Sequence, residues 1–158
     1  LNPSASHFAF GKHRVRERFV LEGSRAFHTS YVYTNLLGNE AGRAIYDGGP
    51  MIATGGQIVA NGPRFSFKRQ FVIPATVDVD LTRMLRVRSV GAQSGLDFPE
   101  EDLVRVPMAF SEPKLTLPEV DEPRQYRKEE EFTHAMTLGL FDYMTKSWSR
   151  GFVVSLRP

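Results

Sequence analysis

The chain contains no cysteine among its 158 residues. This excludes disulfides, thiolate metal sites and cysteine nucleophiles within these residues, and it fits a reducing compartment, so we expect a cytoplasmic location. No run of sequence approaches the roughly 18 apolar residues that a membrane-spanning helix needs, and we expect no membrane contact. The net charge of +2 is too small to argue for a nucleic-acid partner.

Several motifs that carry chemistry are also missing. The thirteen glycines include no G-x-G-x-x-G after a strand and no phosphate-binding loop. The Ser6-His7 pair lacks a nucleophile elbow, and adjacency alone does not create triad geometry, so we interpret His7 as a structural hydrogen-bonding residue. The four histidines lack the spacing of metal ligands, and we assign no metal: His7, His13, His28 and His134.

The composition is that of a globular protein, with 41% hydrophobic and 24% charged residues. A chain of this length holds one domain, or one domain and part of another. Three aspartates, at positions predicted to be turns or strand ends, are interpreted as turn caps rather than as acid–base pairs: Asp47, Asp78 and Asp80.

An amphipathic helix is predicted over residues 14–28. Its apolar positions recur at helical spacing, with Val15, Phe19 and Gly23 followed by Ala26 or Phe27. We interpret the basic residues between them as a solvated face: Arg14, Arg16, Arg18 and Arg25.

A largely antiparallel sheet of four or five strands is predicted over residues 31–80. Residues 31–37 form an apolar run, residues 38–42 a glycine-marked loop, and residues 51–54 and 57–60 a hairpin around Gly55-Gly56. Alternating or β-rich residues then extend to residue 80, with Pro74 marking an edge or a bulge in the last strand. We expect the preceding helix to pack on this sheet.

The rest of the chain changes character twice. A short helix is predicted over 81–90, and residues 91–125 form a connector that holds half of the ten prolines and whose residues 104–110 alternate like a strand. Residues 130–147 then carry a strong helical stripe, and residues 152–156 are interpreted as a short, buried strand. This helix and strand indicate the start of a second α/β domain.

Six stretches carry a family resemblance. Residues 1–8, Gly11-Lys12, residues 31–43 and residues 46–49 resemble the nitrilase-like amidohydrolase domain, in particular the glutaminase domain of glutamine-dependent NAD synthetases. Residues 130–147 and 149–156 resemble the beginning of the synthetase domain of the same enzymes, which a nitrilase-like domain alone would not predict. Together the matches cover about residues 1–83 and 126–156.

The resemblance implies an α/β fold of two parts. Residues 1–90 would be the C-terminal part of a nitrilase-like α-β-β-α sandwich, followed by the proline-rich connector at 91–125. Residues 126–158 would start an ATP pyrophosphatase-type domain and stop before its phosphate loop. We therefore expect the first helix and strand of that second domain here.

The resemblance also implies a reaction. In the family, a Glu-Lys-Cys triad hydrolyses glutamine, ammonia passes through a tunnel, and deamido-NAD is adenylated by ATP with magnesium before ammonia displaces AMP to give NAD. The triad lies before the position matching Leu1, and Arg157-Pro158 stands where the phosphate loop would begin. We therefore assign no catalytic residue or cofactor to this chain, expect it to be inactive alone, and expect the full-length enzyme to be a homo-oligomer.

Two residues match glutamine-binding positions of the family. Ser6 matches a serine that contacts the bound glutamine, and Lys12 stands where a basic residue, often arginine, holds the glutamine carboxylate. From the residues alone, loop capping by Ser6 and a solvated Lys12 are the favoured interpretations; the motif match reverses that preference.

Two other functions remain open at this point. One is a non-catalytic scaffold or interaction module of nitrilase-like fold that has lost its chemistry. The other is a fragment of a stand-alone carbon–nitrogen hydrolase, against which residues 132–156 argue.

Overall fold

The computed structural model describes residues 1–40, 43–89 and 124–156, together with the isolated positions 104, 106, 107 and 109. The predicted connector therefore lies largely outside the described residues, as do three of the seven residues of the predicted strand at 104–110; the other four have no regular structure. Within the described part the secondary structure runs in the order β1 (Asn2–Ser4), α1 (Lys12–Ala26), β2 (Ser30–Asn35), β3 (Leu37–Glu40), β4 (Ala44–Asp47), β5 (Met51–Thr54), β6 (Gln57–Asn61), α2 (Val79–Arg88) and α3 (Lys128–Ser147).

The larger sheet has the strand order β1-β2-β5-β6, with β1 parallel to β2 and the other pairs antiparallel. The predicted hairpin is confirmed as β5 and β6, and both residues of its turn, Gly55 and Gly56, have positive φ (57° and 82°), as a two-residue turn requires. β1 lies at the edge, where Pro3 can be accommodated because an edge strand need not donate from every residue.

The loop predicted at residues 38–42 is wrong in its first half, because Leu37–Glu40 is strand β3 and pairs with β4 in a second, two-stranded sheet. Gly38 has a φ of 112°, and a Cβ on it would lie 2.5 Å from Asp142 Oδ2 of α3. Gly38 therefore marks a close approach between a strand and a helix rather than a flexible turn.

The strands predicted after residue 61 are also wrong. Residues 62–78 form no strand, apart from an isolated bridge between Gly48 and Arg64. The run at 75–80 is interrupted because the Asp78 carboxylate accepts a hydrogen bond from Leu81 N at 2.8 Å and so caps the N-terminus of α2. Asp78 is thus a cap, as predicted, but the cap of the helix that was predicted over 81–90.

Helix α1 is confirmed, but its buried face is rotated by one residue from the predicted one. Val15 and Phe19 are 63% and 61% exposed. The buried positions are instead Arg16, Val20, Gly23 and Ser24.

Small residues explain this rotation. A Cβ on Gly23 would come within 2.9 Å of the Tyr31 ring, so glycine allows the helix to approach the sheet closely. Ser24 Oγ accepts a hydrogen bond from Gly56 N at 2.9 Å, which ties the helix to the hairpin turn. Arg16 is buried with its charge paired, so its assignment to a solvated face is wrong.

The described residues form two apolar clusters. The first lies between α1 and the larger sheet, and its buried members are Val20, Tyr33, Met51 and Ala53. The second lies between α3 and the β3–β4 sheet, and its buried members are Phe65, Ala135 and Leu138, with Phe8, Leu37, Ile45 and Tyr126 packed around them. Phe8, in the segment between β1 and α1, packs on the second cluster, and the hydroxyl of Tyr33, a member of the first, lies beside Ser6 of the same segment.

The predicted helix at 130–147 is confirmed as α3, whereas the predicted buried strand at 152–156 is wrong. These residues have no regular structure, and the side chains of Val153 and Leu156 are 101% and 86% exposed. A strand needs a partner for its backbone groups, and none of the described strands pairs with these residues. The class is nonetheless mixed α/β, as predicted. None of the described helices has both the length and the apolar character needed to cross a membrane.

Candidate functional site

The predicted site residues lie at the two ends of one loop, residues 5–11, which joins the carboxyl end of β1 to the amino end of α1. β1, α1 and β2 form a parallel βαβ unit, and in sheets built of such units ligands commonly bind at the carboxyl ends of the strands. The loop ends at Gly11, whose φ of 74° turns the chain into the helix, as the sequence suggested.

Ser6 is held in place by groups from two other elements. Its N–H donates to Asn35 Oδ1 at 2.8 Å, and its carbonyl accepts from Asn35 Nδ2 at 3.0 Å. Its hydroxyl oxygen accepts a hydrogen bond from Arg16 Nε at 3.0 Å. Since a hydroxyl can both accept and donate, the Ser6 O–H keeps its proton for a further partner.

A buried tyrosine borders Ser6. The Tyr33 hydroxyl lies beside the Ser4 and Ser6 hydroxyls but makes no hydrogen bond of normal geometry with a described residue. Burial raises the pKa of Tyr33, and the nearby charge of Arg16 opposes that shift. The neutral hydroxyls of Ser4, Ser6 and Tyr33 therefore lie together at the start of the loop, beside the charged guanidinium of Arg16.

Lys12 is the first residue of α1 and is half-buried. Its Nζ lies 3.4 Å from His7 Nδ1 and 3.5 Å from Nε2, and no described carboxylate pairs with it. The first turn of α1 has no acidic residue. A helix N-terminus carries positive partial charge, so this end of α1 attracts an anion. Lys12 directly follows the loop that carries Ser6, and no hydrogen bond joins the two side chains in this structure.

A buried ionic chain that the sequence did not predict lies behind the loop. Arg16 Nη1 donates to Asp47 Oδ1 at 2.7 Å, and Arg64 Nε donates to Asp47 Oδ2 at 2.9 Å. Arg64 Nη2 then donates to Glu131 Oε1 of α3 at 2.6 Å. Asp47, 1% exposed, accepts charged bonds from α1 and from the segment after β6, so it is an ion-pair acceptor and its assignment as a turn cap is wrong.

A weak signal of this chain exists in the sequence. Arg16 lies four residues before Val20 and seven before Gly23, on the face of the small and apolar residues. Asp47 directly follows the apolar residues of β4. An arginine and an aspartate on two buried faces need a partner, which each supplies to the other.

An open pocket of about 370 Å³ adjoins the loop, between the N-termini of α1 and α3. The pocket is lined by two carboxylates, Glu17 and Glu131, and by four cationic side chains: Arg14, Arg64, Arg124 and Lys128. His13 also lines it, and its Nδ1 is buried without a hydrogen-bond partner among the described residues. Burial, and then the charge of Arg64, lowers the pKa of His13 from 6.5 to about 4, so this imidazole is neutral at pH 7.

Within the described ranges no three histidine or carboxylate side chains are grouped so that they could hold a metal ion. The end of β1, the loop and the start of α1 together offer the hydroxyls of Ser4 and Ser6, the Lys12 ammonium beside His7 and a helix N-terminus. These groups suit recognition of a small anion, and the Ser6 hydroxyl is hydrogen-bonded to the Arg16 guanidinium rather than to a general base that could activate it.

Comparison with known proteins gives a consistent result, although no family model matches the chain. The glutamine-dependent NAD(+) synthetase of Saccharomyces cerevisiae is 30% identical over 163 residues, which are 98% of this chain and 23% of that protein. The human enzyme of the same name is 29% identical over 98% of this chain and 22% of its own length. The chain thus spans less than a quarter of the curated relatives it matches.

Solved structures agree with these relatives. The crystal structure of a glutamine-dependent NAD(+) synthetase from Cytophaga hutchinsonii is 37% identical, with a TM-score of 0.61, and the match covers 97% of this chain and 18% of that one. The structure of the Acinetobacter baumannii enzyme is similar in fold, with a TM-score of 0.53 and 17% sequence identity. That match covers 93% of this chain and 22% of that one. The resemblance to the glutamine-dependent NAD(+) synthetases is therefore confirmed, over nearly all of this chain and less than a quarter of those enzymes.

Proposed function

We propose that this chain is a segment of a glutamine-dependent NAD synthetase, and that Ser6 and Lys12 help to bind the glutamine substrate. The observation that carries the proposal is the match over nearly the whole chain to enzymes of that name. In this chain the motif with Ser6 and Lys12 lies between the end of β1 and the start of α1. Residues 1–90 belong in this proposal to the nitrilase-like glutaminase domain, and residues 126–158 to the start of the synthetase domain. A cytoplasmic homo-oligomer is part of the same proposal.

The loop has the chemistry that a zwitterionic amino acid needs. The α-carboxylate of glutamine must be neutralised once it leaves water, and Lys12 at the N-terminus of α1 supplies a cation with no carboxylate partner among the described residues. The Ser6 O–H, whose oxygen already accepts from Arg16, can donate to an oxygen of the same ligand. The two residues therefore bind and orient the substrate, and neither attacks it.

The chemical steps lie outside these residues in this proposal. The chain has no cysteine to form a thioester and no phosphate-loop motif to bind ATP. Adenylation of deamido-NAD and its displacement by ammonia are therefore assigned to other parts of the full-length enzyme. We expect the 158-residue chain alone to produce neither glutamate from glutamine nor NAD from deamido-NAD.

The test is Lys12→Ala in the full-length enzyme that contains this segment, assayed with glutamine and with ammonium as nitrogen donor. A charge-assisted hydrogen bond contributes roughly 1.5–3 kcal/mol, so KM for glutamine should rise about tenfold to a hundredfold. Synthesis from ammonium, which bypasses the glutamine site, should change little. Arg18→Ala is the matched control, because Arg18 is an exposed cation on the same helix. Equal losses with both donors, or unchanged glutamine kinetics, would show that Lys12 does not bind glutamine.

A further inference from the structure

Arg16 has an unusual set of partners for a helix residue. Besides its bonds to Ser6 Oγ and Asp47, its Nη2 donates to the Ser6 carbonyl at 2.7 Å and to the His7 carbonyl at 2.9 Å. The side chain is only 6% exposed. One guanidinium thus binds the hydroxyl of Ser6, two consecutive backbone carbonyls and a carboxylate at once.

Only arginine can make this set of contacts. The guanidinium is planar and directs its donors in fixed directions, whereas a lysine ammonium is a point charge at the end of a flexible stem. Here one edge of the guanidinium faces the Ser6–His7 backbone while Nη1 faces Asp47. Bonds from a charged donor are about twice as strong as neutral ones, so the loop is held firmly where it passes Arg16.

The orientation of Arg16 depends in turn on the ionic chain behind it. Asp47 binds Arg16 with one oxygen and Arg64 with the other. Arg64 is anchored to Glu131 of α3, and both side chains are about nine-tenths buried. Because these pairs are buried, they are screened little by solvent and exchange partners less readily than surface pairs.

We propose that Arg16 is the positioning residue that sets the shape of the Ser6–His7 segment, and that Glu131 supports it through Arg64 and Asp47. The ligand side of this inference, glutamine, rests on the proposed function; the positioning of the segment does not. Arg16 acts through Ser6 and His7 and is not itself a catalytic residue. The binding of glutamine then depends on the position of α3, because Glu131 lies on that helix, although α3 carries none of the proposed glutamine-binding residues.

The experiment uses Arg16→Lys and Glu131→Gln in the full-length enzyme, with Arg18→Lys as the matched control. Two quantities are measured: KM for glutamine beside ammonium-driven synthesis, and hydrogen exchange by mass spectrometry in the peptide covering residues 4–11. The Ser6 amide is protected by its bond to Asn35, so it reports the order of the loop. The Gly62 amide, bonded to the Pro50 carbonyl after β6, reports the rest of the fold.

For Arg16→Lys we expect KM for glutamine to rise at least about tenfold, and exchange over residues 4–11 to accelerate by a similar factor, since at least two charged bonds are lost. Glu131→Gln should shift both quantities in the same direction by less. Arg18→Lys should change neither. Exchange around Gly62 should stay as in the wild type.

Unchanged exchange over residues 4–11 in Arg16→Lys would overturn the proposal. So would equally accelerated exchange around Gly62 with equal losses from glutamine and ammonium, because Arg16 would then support the fold as a whole. If hydrogen exchange over residues 4–11 in Glu131→Gln were as slow as in the wild type, α3 would not support the segment. If the wild-type enzyme makes no use of glutamine, the proposed function fails, while the exchange experiment still decides whether Arg16 positions the segment.

Discussion

Gly139 of α3 lies directly against Ile45 of β4. A Cβ built on Gly139 would be 2.9 Å from Ile45 Cδ1 and 3.1 Å from its Cγ1, and the Gly139 carbonyl accepts from Asn39 Nδ2 at 3.1 Å. The missing side chain lets the helix backbone reach the sheet, so the second apolar cluster is closed by backbone contact as well as by side chains.

We therefore expect Gly139→Leu to lower the free energy of unfolding by about 1–3 kcal/mol, because overpacking forces α3 away from β4. Leucine has a higher helix propensity than glycine, so a loss of stability in this variant would have to come from packing and not from the helix itself. Thr137→Leu, at an exposed position of the same helix, is the control. Urea denaturation measures both variants; equal stability of the two would contradict close packing at Gly139.

The buried ion pairs give a second prediction. Asp47→Ala leaves Arg16 and Arg64 without their shared carboxylate, and we expect a loss of about 3–5 kcal/mol, as when one partner of a buried pair is removed. Glu22→Ala breaks the surface pair with Arg25. The Arg25 side chain is 66% exposed and the Glu22 side chain 63%, so this substitution should cost less than about 1 kcal/mol. Thermal or chemical denaturation in moderate salt compares them. Similar losses in the two variants would mean that the Asp47 cluster is no stronger than a surface pair.

Stability should depend on pH through His13. Its pKa of about 4 in the folded chain lies below its usual 6.5, so between these values the unfolded chain binds a proton that the folded chain does not. Stability therefore falls as pH falls from about 6.5 to about 4, by on the order of 3 kcal/mol in total. His13→Gln should flatten this part of the curve, measured by urea denaturation at a series of pH values. An exposed histidine, His7, provides the control His7→Gln; a wild-type slope in His13→Gln would contradict the burial of this imidazole.

Phe65 provides a fourth prediction. It is 5% exposed, stacks on His134 and meets the ring edges of Phe8 and Tyr126. Its φ of 55° is a strained value that its surroundings maintain.

Phe65→Ala should cost about 3–5 kcal/mol by opening a cavity in the second cluster without relieving the strained backbone. Phe67→Ala, at a ring that is 49% exposed, should cost less. The two variants are compared by denaturation, with near-UV circular dichroism as a check on aromatic packing. If Phe67→Ala lowered the stability as much as Phe65→Ala, Phe65 would not be a central residue of the second cluster.

Local patterns predicted the elements whose signals are local. Short stretches of sequence are enough to predict three elements: the Gly55-Gly56 turn from its turn residues, and α1 and α3 from the helical spacing of their apolar residues. Asn2–Ser4 escaped prediction because its strand character comes from parallel pairing with residues 33–35, about thirty residues away. Residues 75–80 look like a strand on propensity, but capping by Asp78 starts a helix there instead.

The candidate site was predicted from a family resemblance rather than from local patterns. Ser6 and Lys12 were assigned by their match to a family motif, and their position between the end of β1 and the start of α1 follows from the fold. Arg16 was not identified, because counting apolar residues at helical spacing assigns an arginine to solvent by default. Its partner Asp47 is 31 residues away, and nothing in a single sequence pairs the two before the fold is known.

The contacts of α3 with β3 have a consequence for how the chain folds. Asn39 bonds to the Gly139 carbonyl across 100 residues of sequence, whereas the cluster around Val20 and Met51 joins residues within the first 61. Closing a long loop has an entropic cost before its contacts can compensate for it, and long-range contacts slow folding. During synthesis the cluster around Val20 can therefore assemble first, and the site loop acquires its full ionic support only when α3 docks.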